Sequence, residues 1–273
     1  MNNNPKVTIL MPVYNGEQYL REAIESILNQ TFMDFEFLII NDGSVDKSEK
    51  IIKLYENRRI IFANNPENKG LIFTLNRGLK MAQGKYVARM DQDDISLPER
   101  IKKQYDFLEK NSKIGLLGTA YYEINQKGDI IGKKIFPTTN KKLQKLLIKY
   151  NSFAHPSVII RKDILNKIGT YSETNECLHI EDYDLWFRMA RESEIANLSE
   201  PLLKRRYNGK NISIIKENEQ IKNAFKLRKR VIKQGQYSKW NYICLLRPFF
   251  ISKIPCCWLR FLRKYLLKSK IYD

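Results

Sequence analysis

The first hundred residues alternate short apolar runs with amphipathic stretches, and that alternation is the main fold signal in the chain. Residues 7–11 are a mostly apolar run that reads as a buried strand. Residues 17–30 follow, with Leu20, Ala23, Ile24, Ile27 and Leu28 on one helical face. Residues 35–40 are a second apolar run, ending at Asn41-Asp42-Gly43-Ser44. Asp46 with Glu49 three positions later matches a capping box, which predicts a helix running to about residue 55. Residues 60–63 read as a third strand, 71–82 as a helix and 86–90 as a fourth strand. Pro98 then opens a helix over 99–110, at the first-turn position that proline tolerates. Strands alternating with helices imply a parallel sheet covered on both faces. In such sheets the loops after the strand C-termini gather at one edge and hold the ligand. Three polar loops fall there: 12–16, 41–46 and 91–94.

Beyond residue 114 the alternation is less regular. The pattern predicts a strand over 114–122, a turn at Lys127-Gly128-Asp129 and a helix near 141–149. A strand over 157–160, a short helix over 161–168 and a helix over 182–191 complete it, the last with Leu185, Trp186 and Met189 apolar. There is no internal repeat and no Gly/Ser linker. The 273 residues are 43% hydrophobic and 29% charged, which excludes a collagen-like, low-complexity or largely disordered chain and permits a substantial core. Charge changes the picture: 48 basic against 30 acidic residues give +18, and residues 201–273 carry 19 of the basic and only 3 of the acidic ones. The chain therefore divides into a near-neutral body, 1–215, and a strongly basic tail, 216–273.

Cys177, Cys244, Cys256 and Cys257 show no C-x-x-C spacing, so a reduced, cytoplasmic compartment is expected. The N-terminal stretch reads as a first strand and not as a secretory leader. No apolar window approaches 18 residues, so no transmembrane helix is expected.

Three constellations carry candidate chemistry. In Asp91-Gln92-Asp93-Asp94, three carboxylates crowd the end of a strand and repel one another. A divalent cation removes that repulsion, and hard oxygen ligands suit Mg²⁺ or Mn²⁺. A solvated acidic turn, with Asp94 or Ser96 capping the next helix, is the alternative. Asp42 ends a buried run before a glycine turn: it could accept a hydrogen bond from a base or ribose, or simply form the turn. Tyr14 in the first loop could stack on a base or pack. In His179-Ile180-Glu181-Asp182-Tyr183-Asp184, three acids open a predicted helix. The helix dipole favours acids there, and one of them could instead face a cleft as a general base.

Taken together, these residues resemble the family-2 glycosyltransferases of GT-A fold. The matching segments are TILMPVYNGEQYL, FEFLIINDGSVD, NPENKGLIFTLNRGLKMAQGKYVARMDQDDISLPER, HPSVIIRKDIL and IEDYDLWFRMA, and the likeness spans roughly three quarters of the chain. It implies an α/β fold with a Rossmann-like, mostly parallel sheet flanked by helices, followed by a basic helical appendage. Residues 1–94 would form the nucleotide-sugar-binding half and 95–215 the acceptor half. The implied reaction is an inverting, metal-dependent transfer of a sugar from a nucleotide-diphosphate donor, most often a UDP-sugar. By position, Tyr14 and Asp42 would contact the base, with Pro12, Asn68 and Gln92 beside them. Asp91 would approach the ribose or the metal, and Asp93 would hold Mn²⁺ or Mg²⁺ against the diphosphate. Asp182 would deprotonate the acceptor hydroxyl, with Glu181 assisting. Many relatives carry a histidine after the catalytic helix; Asn208 stands at the comparable place here. His155 and His179, the only histidines, are expected to be structural.

The tail lies mostly beyond the resemblance. Large apolar groups (Trp240, Tyr242, Phe249, Phe250, Trp258, Phe261) interleave there with Arg247, Lys253, Arg260, Arg263 and Lys264. That composition suits an amphipathic segment lying on an anionic membrane surface, or a helix packed on the body or a partner. The first reading places the enzyme peripherally on the inner face of the cell membrane, near a glycan or lipid-linked glycan acceptor. A nucleic-acid-binding protein is the competing class, permitted by the charge. No nucleic-acid motif is present, and neither G-x-G-x-x-G after the first strand nor a phosphate-loop sequence occurs.

Overall fold

A computed structural model of the chain describes residues 4–208 and 216–245; the remainder of the basic tail, with Arg247, Trp258, Arg260 and Phe261, lies outside the described residues. The first half runs β1 (Val7–Val13), α1 (Leu20–Leu28), β2 (Phe35–Asp42), α2 (Ser48–Lys53), β3 (Ile60–Asn65), α3 (Leu71–Met81) and β4 (Tyr86–Arg89). The second runs β5 (Ile95–Ser96), α4 (Arg100–Lys110), β6 (Ile114–Ile124), β7 (Ile130–Lys134), α5 (Asn140–Leu147), β8 (Ile159–Arg161), α6 (Lys162–Ile168), α7 (Glu181–Glu192) and β9 (Glu194–Arg206). A last helix, α8 (Glu217–Lys233), follows.

The strands form one sheet in the order β3-β2-β1-β4-β8-β6-β9-β5, with β7 paired to β6. The β3-β2-β1-β4 block is parallel, as the alternation predicts. Past β4 the sheet is mixed: β8 is antiparallel to β4 and β6, β9 is parallel to β6, and β5 is antiparallel to β9. The fold is thus α/β, a curled sheet flanked by helices.

Period-two alternation along β1 sorts its side chains onto two faces. Val7, Ile9, Met11 and Val13 pack with α1, α2 and α4, burying Leu20, Ile24, Ile52, Ile101 and Leu108. Leu10, Leu38 and Ile40 face the other way and pack with Leu75 and Leu79 of α3 and Leu185 and Trp186 of α7. Leu227, Val231 and Ile232 of α8 and Leu245 belong to this second cluster. Residues 216–245, the first part of the basic tail, therefore fold against the body. Each fully buried Leu, Ile or Val contributes about 1.5–3 kcal/mol over leaving it exposed, so three such positions on α8 hold it firmly.

Two local expectations change. The capping box does not form: α2 begins at Ser48, and the Asp46 carboxylate accepts from the backbone N–H groups of both Glu17 and Ser48 at 2.9 Å. Glu49 pairs instead with Lys53 one turn on. The expected strand over 157–160 starts later, because a 3₁₀ turn over His155–Ser157 is closed by the Ser157 hydroxyl donating to the Ala154 carbonyl at 2.9 Å. The short β5 and the long β9 carry no clear period and were not anticipated.

Candidate functional site

The loops after β1, β2 and β4 open onto one cleft of about 2880 Å³. Its lining includes all nine residues placed at the site from sequence: Pro12, Tyr14, Asp42, Asn68, Asp91, Gln92, Asp93, Glu181 and Asp182. The first seven come from the parallel block and the last two from the start of α7, so the cleft has two ends of different construction.

At the first end, several of these side chains hold loops together. Asp42 is buried; its Oδ1 accepts from Asn65 Nδ2 (2.6 Å) and the Lys69 N–H (3.0 Å), and its Oδ2 from the Gly70 N–H (2.9 Å). The carboxylate anchors loop 66–70 at the start of α3, and one of about four acceptor positions is left for a ligand. Gly43 serves the same junction. Its φ is +67°, and an added Cβ would strike the Glu67 carbonyl carbon and come within 2.6 Å of the Asn68 nitrogen. Gln92 staples the first loop to the third: its Oε1 accepts from the Tyr14 N–H at 2.7 Å and its Nε2 donates to the Tyr14 carbonyl at 2.9 Å. Gly16 leaves room for it, since a Cβ there would lie 2.7 Å from the Gln92 amide. The Tyr14 ring stays 44% exposed, free to lie against a planar ligand.

The acidic loop is clasped by arginines. Arg89, itself buried, pairs with Asp91 at 2.5 Å; burial pushes the Asp91 carboxyl up, but the charges around it, Arg89 foremost and Arg205 among them, together hold it below its ordinary value. Arg206, also buried and stacked on the Tyr19 ring, gives its backbone N–H to Asp94 Oδ1 and its Nε to the Asp93 carbonyl, both at 2.9 Å. Burial and the charge of Asp91 push Asp93 up to about 6. Asp94, fully enclosed, is raised well above the usual carboxylate range by burial and by both neighbours. Asn208 donates from Nδ2 to Asp93 Oδ2 at 3.0 Å. Among the described residues no three His, Cys, Asp or Glu side chains converge to hold a metal ion. Asp91 and Asp93 are hard oxygen donors, Asp93 being raised by burial and by the charge of Asp91, and they fit a Mg²⁺- or Mn²⁺-type cation that would take further oxygens from a bound diphosphate.

At the second end, Asp182 and Glu181 begin α7. Asp182 Oδ2 accepts from Asn151 Nδ2 at 2.8 Å, and its pKa is raised because burial outweighs that bond. Glu181 is pushed up to about 7 by burial and by the charge of Asp182. A carboxylate near neutrality in a cleft is suited to take a proton. His155 also lines the cleft, hydrogen-bonded to the Tyr171 hydroxyl at 2.8 Å and set edge-on to Trp186; burial and Arg89 lower it to about 3, so it is neutral.

Sequence reasoning missed the cations. Arg205 lines the cleft 5.7 Å from the Tyr121 ring centroid and 5.6 Å from that of Tyr207, and its charge acts on Asp91, Asp93 and Asp94. Arg89, Arg206 and Asn151 were missed as well. The adjacent pair Arg205-Arg206 at the end of an apolar-polar run was the available signal.

Comparison with known proteins shows the family and the fold. The sequence profile described as glycosyl transferase family 2 matches residues 8–169, more than half of the chain. The O-antigen biosynthesis glycosyltransferase WbnJ of Escherichia coli is 37% identical over 211 residues, covering 75% of this chain and 80% of that protein. Two solved structures share the fold. S. aureus TarS 1-349 in complex with UDP-GlcNAc has a TM-score of 0.69 at 20% identity, covering 97% of this chain and 76% of that one. The mannosyltransferase PcManGT from Pyrobaculum calidifontis, in complex with GDP-Man and Mn²⁺, has a TM-score of 0.61 at 13% identity, covering 99% and 77%.

Proposed function

The chain belongs to glycosyl transferase family 2, and from that premise we propose that it transfers a hexosyl or N-acetylhexosaminyl group, with inversion, from a nucleotide-diphosphate sugar to a hydroxyl of a glycan or lipid-linked glycan in surface polysaccharide synthesis. The observation that carries this reading is the common cleft: residues suited to a nucleotide and a metal-bound diphosphate at one end, a near-neutral carboxylate pair at the other. A UDP-sugar is the first donor to test, because TarS is solved with UDP-GlcNAc. The O-antigen role in the name of WbnJ supports the polysaccharide context.

In this reading Tyr14 stacks on the base, Asp42 accepts a base N–H with its remaining lone pair, and Pro12, Asn68 and Gln92 shape the donor loops. Asp93, with Asp91, would hold a divalent cation, as the Mn²⁺ complex of PcManGT and the oxygen donor set support. When bound, it neutralises the charge that the diphosphate gains on leaving. Arg205, a cation on the same wall, adds to that neutralisation. Asp182 takes the proton of the acceptor hydroxyl as that oxygen bonds the anomeric carbon and the bond to the diphosphate breaks on the opposite face. Asn151 aims the Asp182 carboxylate, and Glu181 keeps the surroundings anionic above about pH 7.

No helix among the described residues is long and apolar enough to cross a membrane. We place residues 246–273 on an anionic membrane surface, from their mix of aromatic and basic side chains. Chains ending after Leu245 should lose sedimentation with anionic liposomes; unchanged sedimentation overturns this placement. For the reaction, a panel of UDP-, GDP- and dTDP-sugars with and without Mn²⁺ should show metal-dependent binding or slow hydrolysis of one donor class. Absence of both for every donor overturns the reading.

A further inference from the structure

We infer that α8 is a splint for the proposed base: it holds the backbone before Asp182 and the side chains of the two residues after it, and so sets where that carboxylate lies. The inference rests on the assignment of Asp182 as base.

The chain enters α7 through a bend at His179, whose φ is +65°. A residue with a Cβ holds that conformation only where its surroundings fix it. The fixing groups come from α8. Gln220 donates from Nε2 to the His179 carbonyl, and Asn223, one turn on, donates from Nδ2 to the Leu178 carbonyl, both at 3.0 Å. Two successive carbonyls immediately before the helix are thus captured by side chains spaced i and i+3 on one face. Glu219 Oε2 lies 3.6 Å from His179 Nε2 on the same side.

The other side of Asp182 is held from the same helix. Arg228 donates from Nε to the Tyr183 hydroxyl at 3.1 Å, and Arg230 pairs with the buried carboxylate of Asp184. Residue 182 is therefore flanked by backbone captured at 178–179 and by side chains captured at 183–184, while Asn151 independently orients the Asp182 side chain. Leu227, Val231 and Ile232 lock α8 into the core beneath α7. A misplacement of about 1 Å at a reacting group costs about 100-fold in rate, so a helix that sets this backbone sets turnover; Gln220 also lines the cleft, and an acceptor KM that stays at the parental value while kcat falls separates placement of Asp182 from a direct contact with the acceptor. Gln220 and Asn223 are positioning residues.

The test uses the full chain with two variants, Gln220→Ala/Asn223→Ala and Gln220→Glu, and Asp182→Asn in parallel. The readouts are UDP-sugar Kd, and kcat and KM for transfer. The expected result is a donor Kd within about twofold of the parent and a kcat lower by about tenfold or more. Gln220→Glu moves the same way, since it replaces the N–H donor facing His179 by an acceptor of equal size. Gln220 is partly exposed, so this variant decides the matter if the double variant does not fold. An unchanged kcat in Gln220→Glu, or a loss that tracks a weakened donor Kd, overturns the splint. Normal turnover in Asp182→Asn overturns the base assignment instead. An inactive Asp182→Asn beside fully active α8 variants overturns the splint alone.

Discussion

The two ends of the cleft are built differently. The donor end is assembled from four loops of the parallel block, each following its own strand, and tied by hydrogen bonds between the Asp42 and Gln92 side chains and backbone within the first hundred residues, Asp42 accepting from the Lys69 and Gly70 N–H groups. The base end rests on a single helix N-terminus whose supports come from elsewhere in the chain: Asn151, Gln220, Asn223, Arg228 and Arg230. Rigid loops at strand ends suit a site that must recognise a nucleotide before anything else happens. A helix start braced by distant side chains suits a group whose placement relative to the acceptor decides the rate. Binding and turnover should therefore be separable by mutation.

The sharpest break in the comparison is Asp182→Asn, which removes the proton acceptor and leaves the donor loops intact. Transfer should fall by about 10²–10⁴-fold, with donor affinity within about twofold by calorimetric titration. Asp93→Asn strikes the opposite end. It should abolish the Mn²⁺ dependence of donor binding, seen when the UDP-sugar Kd is measured with and without the metal; a retained dependence removes Asp93 from the metal site. Gly43→Ala forces a side chain into a left-handed conformation and against the Glu67 backbone. It should cost about 1–3 kcal/mol of stability by denaturant unfolding and weaken donor binding more than turnover.

The smallest effect is in pH. Glu181 titrates at about 7, above its ordinary value, because it is buried beside Asp182. Folding thus raises its proton affinity, so its contribution to stability is fully present below the ordinary glutamate range and is lost as pH rises through about 7. Melting temperatures of Glu181→Gln should fall less between pH 5 and 8 than those of the parent. Transfer by the parent should rise with pH over the same window as Glu181 becomes anionic, and an identical melting profile in both proteins would show that Glu181 does not titrate there.

The same asymmetry explains what could be read without coordinates. Residues 7–11, 35–40 and 86–90 are largely apolar, interrupted only by Thr8, Glu36 and Arg89, because their strands are buried on both faces. The loops after them announce themselves by the change to Asn, Asp and Gly. The nine residues expected at the site from that pattern and the family resemblance all line the cleft. The supports did not, because a hydrogen bond from Gln220 to His179, or from Asn151 to Asp182, joins residues that only tertiary packing brings together. Arg205 and Arg206 were hidden in another way: β9 mixes Glu, Asn, Ser and Pro with its apolar residues and shows no clean period. Charge also blurred residues 216–245. Their Lys and Arg dominate the composition, while Leu227, Val231 and Ile232 at helical spacing carry the packing. Asp42 shows that two roles weighed separately can share one side chain, since it shapes a loop and retains an acceptor position in the cleft.

The most direct test of the division between the two ends is a UDP-sugar titration of Asp182→Asn and Asp93→Asn alongside transfer assays on the same preparations. The account predicts near-parental, Mn²⁺-dependent donor affinity without transfer for Asp182→Asn, and lost metal-dependent affinity for Asp93→Asn. Near-normal transfer by Asp182→Asn, or a collapse of its donor affinity matching that of Asp93→Asn, would contradict it.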